Sequence, residues 1–593
     1  MNRRSIDRPI VIGTIAIFVV VVFICRLAFL QLGDNDYRLS AYNNALYQNV
    51  LYPSRGLIYD RNGKLLVYNQ PVYDLMVIMR EIKDLDTLDL CKTLGITKRE
   101  FDIRMENIKD TDKNPGYSTY TKQLFLPQVH REVYSVFQEK QYRYHGFYIR
   151  NRTIRQYKYG IAAHVLGDVA EVSVTDLEND DYYNVGDYIG KQGVERSHEK
   201  DLRGKKGIQL MLRDARGRLK GHYKNGRFDE KPIPGKDIVL SIDYDLQALG
   251  EELMQGRTGS IVAIEPSTGE ILCCVSAPGY DPRLLTGKNR GNMIMKMLHD
   301  ENRPMFNRSI SGTYPPGSTF KPAEGLMLLQ ERIVNTSTSY PCVGGFKYHK
   351  MKVGCHAHDT PLGIISALAT SCNSYFCWGM YNFLKHSKYA DKHEALNKWR
   401  DYMVSFGFGY KLGVDLPAEA RGMIPNAEYY DKYMPKWNPV SLVSISIGQG
   451  EITLTPLQIA NLGASIANRG YYITPHIVKN IFGGHLADSL TLRHNTMVYP
   501  AYYDVIRNGM RRAVLSGTCV GTNIPGLNVC GKTGTAQNRG HDHSAFLGFA
   551  PMENPKIVIA VYVENGGHGA TTAVPIAARM LKKYLDVTKI RNK

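Results

Sequence analysis

Ser318 and Lys321 are the first pair in this sequence placed for covalent chemistry. They lie in Tyr314-Pro315-Pro316-Gly317-Ser318-Thr319-Phe320-Lys321-Pro322, where a Pro-Pro-Gly turn runs into a helical pattern over Ala323–Ile333. A spacing of three puts the lysine amine on the same helix face as the serine hydroxyl. A serine needs a base to become a nucleophile, and a desolvated lysine beside other cations can serve as one. The N–H groups at a helix start favour negative charge as it develops. Alone, Ser-x-x-Lys is weak, since average composition yields about two copies in a chain of this length. Ser197-His198-Glu199-Lys200 is such a copy, with no turn-to-helix context, and reads as a surface coincidence.

Two further elements give the first one meaning. Ser371-Cys372-Asn373 follows the apolar stretch Leu362–Leu368, as a loop between helices would. Lys532-Thr533-Gly534-Thr535 follows a β-prone run. A Lys-Thr-Gly triplet is expected only about 0.1–0.2 times by composition. Ser-x-x-Lys, Ser-x-Asn and Lys-Thr-Gly in this order form the motif set of penicillin-binding proteins and serine β-lactamases.

The resemblance extends along the chain. Pro53-Ser54-Arg55-Gly56-Leu57-Ile58-Tyr59-Asp60-Arg61-Asn62-Gly63 resembles the opening of the class B penicillin-binding pedestal. Gly190-Lys191-Gln192-Gly193-Val194-Glu195, running into Leu202-Arg203-Gly204, is similar to a second pedestal signature. Ser446-Ile447-Gly448-Gln449-Gly450 with Thr455-Pro456-Leu457-Gln458 resembles the elongation-type members more than the division-type ones. Tyr157-Lys158 departs from a frequent Tyr-Pro, and no acidic glycosyltransferase motif is present, which counts against the bifunctional class A.

The resemblance implies a membrane-anchored D,D-transpeptidase that cross-links peptidoglycan stem peptides ending in D-Ala-D-Ala and is acylated by β-lactams. Ser318 would attack the penultimate D-Ala carbonyl, with Lys321 as general base. Ser371 would relay a proton to the leaving amine, and Asn373 would hold the substrate amide. Lys532 would add positive charge near the substrate carboxylate, which the hydroxyls of Thr533 and Thr535 would bind. Gly534 would permit close backbone approach on its strand. The N–H groups of Ser318 and Thr535 would form the oxyanion hole. No cofactor is implied for catalysis. A SEDS-family glycosyltransferase partner and a role in cylindrical elongation are also implied.

Five potential ligands, Cys342, Cys355, His356, His358 and Cys372, crowd into a short span beside the Ser-x-Asn motif. Thiolates with imidazole suit zinc. Some elongation-type members resemble this arrangement, with a structural zinc at the same motif, and Cys342, Cys355, His358 and Cys372 are the ligand set taken here. A Cys342–Cys355 disulfide or plain buried thiols are the competing readings. Cys519 and Cys530 could pair across a loop, whereas Cys273-Cys274 read as core packing. His541 and His543 read as solvated loop residues and His164 as structural.

These residues need an anchored scaffold to hold them. Ile10 to Leu32 is an apolar run long enough to span a bilayer. Arg3, Arg4 and Arg8 precede it, and Asp34 and Asp36 follow. The charge bias places the N-terminus inside and the remainder outside, as an uncleaved signal-anchor in the bacterial inner membrane. The expected organisation is a cytoplasmic tail at 1–9, an anchor at 10–32, a mainly β pedestal at 33–235 and a transpeptidase domain at 236–588. Short β-like runs such as Leu75–Met79 and a helix over Gln128–Lys140 are predicted in the pedestal. In the catalytic part, strands Ile261–Ile264 and Ile271–Val275 flank a turn, and Phe546–Ala550 with Ile557–Val563 repeat that pattern. The predicted fold class is α/β (α+β), the serine penicillin-recognising transpeptidase fold, with a sheet closed by its terminal strands.

Composition excludes other classes. The chain has 593 residues, 43% hydrophobic and 10% aromatic, so disorder, collagen-like sequence and coiled coil are ruled out. Mean hydropathy of −0.29 with one long apolar run excludes a polytopic membrane protein. The net charge of +18 calls for acidic counterparts. The extracytoplasmic orientation removes nucleic acid, leaving cell-wall polymers, substrate carboxylates and anionic lipid. Ten Lys/Arg against three Asp/Glu fall within 203–231, a solvated hairpin or a docking surface. Three other functions use similar parts. A carboxypeptidase or β-lactamase-like hydrolase needs no long pedestal, a penicilloyl sensor needs a cytoplasmic signalling segment, and a dead scaffold would tolerate loss of Ser318 or Lys532.

Overall fold

The structure is a computed structural model that describes residues 8–28, 46–112, 114, 117–129, 131–213, 219–287 and 289–591. The charged residues expected to flank the anchor at 3, 4, 7, 34 and 36 lie outside these, as do 29–32 of the apolar run and 214–218 of the basic stretch.

The chain divides into two units. The first holds residues 1–54, 72–152 and 204–235. In it, helix α1 (Arg8–Ala28) is apolar from Ile10 onward apart from Arg26, and its large apolar side chains are exposed. A small lobe within 72–152 packs helices Thr87–Leu94, Lys98–Lys109 and Arg131–Lys140 over strands around Leu75, Phe125 and Phe147. The predicted helix over Gln128–Lys140 begins only at Arg131. Strand Gln123–Val129 claims the first two residues, because Val129 pairs with Tyr73 and the Gln128 N–H donates to Asp74 Oδ1. A separate antiparallel sheet joins β1 (Leu46–Leu51), β2 (Gly207–Arg213) and β3 (Leu219–His222).

The second unit holds 55–71, 153–203 and 236–593. Residues of the two pedestal signatures meet here. Arg55 contacts Glu195 at 2.5 Å and Glu199 at 2.6 Å, and Arg155 reaches the other oxygen of Glu195 at 2.6 Å. Glu195 is fully buried, and its two guanidinium partners hold its carboxyl below the usual range against the opposing effect of desolvation. Removing one arginine would leave one carboxylate oxygen of the buried Glu195 without its guanidinium, a destabilising loss. Tyr157 closes this region through its hydroxyl, which donates to Gly167 O at 2.7 Å.

The catalytic portion is built on a five-stranded antiparallel sheet. Helix α2 (Tyr244–Leu253) precedes strands β4 (Gly259–Ile264) and β5 (Ile271–Ala277). Helices α3 (Lys321–Gln330), α4 (Ile364–Ala369), α5 (Asn373–Leu384), α6 (Pro456–Ala467) and α7 (Pro500–Ser516) follow. Strands β6 (Cys530–Ala536), β7 (His543–Ala550) and β8 (Ile557–Val563) and helix α8 (Ala573–Arg591) close the unit. The order is β5-β4-β8-β7-β6, so within this sheet the last strand in sequence pairs with the first, and β6 is an edge. Every residue of β4, β5 and β8 is buried, because both faces are covered. Ile559 and Val561 face α2 and α8 in one core, while Val558, Ala560 and Tyr562 join the other, which contains α6. All twelve residues of α6 are buried, which fits its apolar composition on every side. This two-layered support fixes the edge strand β6 against the turn before α3.

Candidate active site

Ser318 lies in a 3₁₀ turn, Gly317–Phe320, that feeds directly into α3. Gly317 has φ +54°, and a Cβ there would come within 2.8 Å of Thr535 O on β6. Gly534 faces the same gap, where a Cβ would sit 2.9 Å from Thr319 Cγ2. Two glycines therefore let the serine turn and the edge strand touch backbone to backbone. The Gly317 N–H donates to Gly448 O at 2.9 Å, so the Ser446-Ile447-Gly448 segment braces the turn from behind.

Lys321 is fully buried. Its Nζ donates to Ser371 O at 2.7 Å, Asn373 Oδ1 at 2.6 Å and Ser371 Oγ at 3.2 Å. Ser371 sits between α4 and α5 with φ +60°, a left-handed conformation rare for a residue with a side chain. That strain turns its hydroxyl toward both lysines, since the buried Lys532 Nζ donates to the same oxygen at 2.8 Å. Desolvation lowers Lys321 to about 8. Desolvation first, and repulsion from Lys321 second, lower Lys532 to about 7. Two ammonium groups near one hydroxyl in a dry site cannot both hold their protons firmly at neutral pH.

The spacing argument placed Lys321 beside Ser318. Among the described residues its amine instead bonds to Ser371 and Asn373, and no hydrogen bond of the half-buried Ser318 hydroxyl occurs. The difference lies in the long lysine side chain, which folds toward the oxygens presented by the Ser-x-Asn loop. Thr533 donates to Thr518 Oγ1 at 2.7 Å, and Thr535 Oγ1 accepts the Gly569 N–H at 3.3 Å. Thr518 and Gly569 are site neighbours that no sequence motif marked. Asn373 Nδ2 donates to Gly354 O at 2.7 Å, tying the loop before Cys355 to the site.

On the far side of the same triplet, the ligand atoms of Cys342, Cys355, His358 and Cys372 lie within 4.8 Å of one another. All three cysteines are free thiols. His358 Nδ1 donates to Asp359 O at 2.7 Å, which leaves Nε2 to face Cys355 Sγ at 3.3 Å. The Asn373 and Tyr375 N–H groups point at Cys355 Sγ and Cys372 Sγ, at 3.2 and 3.4 Å. A donor from Cys372, together with the Asn373 N–H and His358, pulls the Cys355 thiol down to about 4 despite burial. Three thiols and one imidazole at this spread match the donor set of a tetrahedral zinc site, in which sulfur atoms bound at about 2.3 Å stand under 4 Å apart. His356 lies apart from this group, its ring 6.3 Å from that of His568.

The remaining candidates separate. Ser197-Lys200 is remote from the catalytic triplet in sequence and shares no hydrogen bond with it, and Ser197 Oγ bonds its own helix at Gly193 O. Cys519 and Cys530 are unpaired buried thiols, as are Cys273 and Cys274. His164 is half-buried with its Nε2 bonded to Pro304 O, and desolvation lowers it to about 4. His541 is exposed, but His543 is not a loop residue: it opens β7 and packs against Tyr314 and Tyr562, because its Nδ1 accepts the Asn565 N–H.

Known proteins share this architecture. Residues 259–583 match the penicillin binding protein transpeptidase domain, and residues 50–240 the penicillin-binding protein dimerisation domain. The peptidoglycan D,D-transpeptidase MrdA of Acinetobacter baumannii is 34% identical over 98% of this chain and 88% of its own length. The penicillin-binding protein PBP2 from Helicobacter pylori, solved in complex with MreC, superposes with a TM-score of 0.77 at 25% identity, covering 91% of this chain and 99% of its own. A chain from a peptidoglycan synthase complex gives a TM-score of 0.70 at 25% identity, covering 98% of each chain.

Proposed function

This chain belongs to the penicillin-binding transpeptidases, class B and elongation type, and from that premise we propose how its residues divide the work. The enzyme is a serine-type peptidoglycan D,D-transpeptidase of cell-wall elongation, and its catalysis needs no cofactor. The observation that carries the assignment of roles is the single hydroxyl of Ser371 held between the amines of Lys321 and Lys532.

Ser318 Oγ attacks the penultimate D-Ala carbonyl, and its proton passes to neutral Lys321. Burial favours that neutral form. The substrate carboxylate, bound by Thr533 and Thr535, holds the proton on Lys532 and so keeps the positive charge away from Lys321. Charge on the tetrahedral oxygen is met by the N–H groups of Ser318 and Thr535 at the contact that Gly317 and Gly534 permit. Ser371 relays the proton from Lys321 to the departing amine of terminal D-Ala while Asn373 holds the substrate amide. An acceptor amine then attacks the Ser318 ester, its proton returns through Lys321, and Ser318 recovers its own. A β-lactam acylates Ser318 by the first half of this sequence.

Cys342, Cys355, His358 and Cys372 are assigned to a structural zinc. Bound there, zinc would hold together the loop that presents Ser371 and Asn373, and it takes part in no chemical step. Metal analysis of wild type and Cys372→Ser is the check, and equal zinc content in both would contradict the assignment. The domain division follows the same reading, with a cytoplasmic tail at 1–9, an anchor at 10–32, a pedestal at 33–235 and a transpeptidase domain at 236–588. The N-terminus is placed inside a bacterial inner membrane and the catalytic domain on the periplasmic side. Relatives solved with MreC and within a peptidoglycan synthase complex support partners in the synthase machinery, and a SEDS-family glycosyltransferase in the membrane is the partner that the family resemblance implies.

Full-length enzyme supplied with nascent glycan strands gives the test. Wild type is expected to release D-Ala and form cross-linked muropeptides, and Ser318→Ala to do neither. D-Ala release without cross-links would favour the hydrolase reading instead.

A further inference from the structure

The sheet of β1, β2 and β3 has an unusual place in the molecule. Its register pairs Leu46 with Leu212 and Leu51 with Gly207. The end where the chain arrives from α1 is therefore the end where β2 gives way to β3. Only residues 29–45 separate α1 from β1, a reach of about 60 Å when fully extended. The sheet is tethered near the bilayer by its own strand.

Its side chains are not packed as those of the other sheets are. None of its apolar residues belongs to a buried core. Every described side chain in β1 and β3 is half-buried or exposed. Leu212, at the tethered end, is 36% exposed, and Phe228, which follows β3, is 49% exposed. A three-stranded sheet with no covered face is marginal in water. Among the described residues no α-helix packs extensively over the sheet, which leaves a face for a partner outside the chain.

The surrounding charge identifies that partner. Lys220, Lys224 and Arg227 are exposed. Lys224 Nζ sits 5.3 Å from the ring centres of both Tyr223 and Phe228. Asp229, one of the few acids in the stretch, is occupied by His222 at 2.7 Å and by the Leu210 N–H at 3.0 Å. Cations interleaved with amphipathic rings and exposed aliphatic groups fit a membrane interface, where phosphates lie beside an apolar phase. A cell-wall polymer would offer carboxylates but no apolar phase for Phe228 and Leu212.

We propose that this sheet and the segment 220–228 rest on the membrane surface, with Lys220, Lys224 and Arg227 on anionic phospholipid headgroups and Phe228 at the acyl boundary. The contact would set the height and orientation at which the pedestal leaves the bilayer. Each cation near an anionic surface strengthens such binding about fivefold, and added salt weakens it.

The test uses the full-length chain in nanodiscs with a Phe228→Trp reporter, compared with the parent chain, whose three native tryptophans set the background. Lipids with brominated acyl chains quench an indole only on contact. In phosphatidylglycerol discs the reporter emission is expected to fall by about half, and in phosphatidylcholine discs by far less. A triple variant, Lys220→Glu, Lys224→Glu and Arg227→Glu, should restore the emission, while retained penicillin labelling confirms its fold. No quenching in either lipid would overturn the proposal and leave the surface to a protein partner. Equal quenching in both lipids, or quenching unchanged in the triple variant, would overturn the headgroup assignment.

Discussion

The triplet Ser371-Cys372-Asn373 faces two chemically opposite neighbourhoods. Ser371 and Asn373 meet the buried amines of Lys321 and Lys532. Cys372, between them, joins Cys342, Cys355 and His358. On the lysine side, desolvation lowers both ammonium groups toward neutral pH, which makes protons mobile. On the thiol side, backbone N–H groups converge on sulfur, which makes the loop rigid. One loop thus separates chemistry from positioning within three residues, and substitutions on the two sides should fail in different ways.

The largest effect belongs to the lysine side. Lys321→Ala should lower the rate of β-lactam acylation about 10³-fold, within the usual range for a lost general base, while thermal stability holds or rises because a buried amine is removed. Stopped-flow acylation with a parallel melting curve checks both halves. Equal losses in rate and stability would erase the distinction between the two sides.

The pH dependence sharpens the same point. Lys321 sits at about 8 in the fold, below the usual lysine value, so its neutral form grows as pH rises toward that point. Acylation by a carboxylate-bearing β-lactam should therefore rise about tenfold from pH 6 to pH 7 and level off near 8. A rate that falls across this range would mean that the protonated amine is the working form. Lys532→Ala should then cost about 10²-fold, expressed mainly in KM for carboxylate-bearing substrates.

The motifs of the lysine side were legible in sequence because each is local: a turn into a helix, a loop between helices and a strand triplet. The sheet could be read as well, since Ile261–Ile264 and Ile557–Val563 have strand patterns and proved to be neighbours. Less could be read where long side chains or distant backbone decide. Spacing alone pointed Lys321 at Ser318, and the oxygens that receive its amine come from a loop fifty positions away. His543 looked solvated because its sequence neighbours are polar, yet Tyr314 and Tyr562 pack against it from other elements. The pedestal could not be divided by composition, because residues 55–71 and 153–203 join the catalytic unit through pairs such as Arg61 with Glu265 and Asp168 with Arg290.

A smaller effect is expected on the thiol side. Cys372→Ser should reduce acylation about tenfold and lower the melting temperature, since it disturbs the loop that positions Ser371 and Asn373. Because Cys372 opposes the effect of desolvation on Lys321, any shift of the pH profile should be toward lower pH, and a shift upward would contradict the account.

The smallest effect tests the edge of the lysine side. Glu324 lies one turn beyond Lys321 in α3, fully buried, and its Oε2 accepts the Trp399 Nε1–H at 2.9 Å. Burial raises its carboxyl to about 8, so it is largely uncharged at neutral pH. Glu324→Gln should change acylation by less than about threefold. Because the folded value is raised, its contribution to stability is full in acid and declines as pH climbs from the ordinary carboxylate range to about 8. Relative to the glutamine variant, wild type should lose melting temperature across that interval, and parallel curves would contradict the burial argument.

The central claim is that Ser318 carries the acyl group. Intact-protein and peptide mass spectrometry of the full chain after incubation with a penicillin tests it most directly. The account requires one adduct per chain, located on Ser318, and none in Ser318→Ala. An adduct on any other residue, or one that persists in Ser318→Ala, would contradict it.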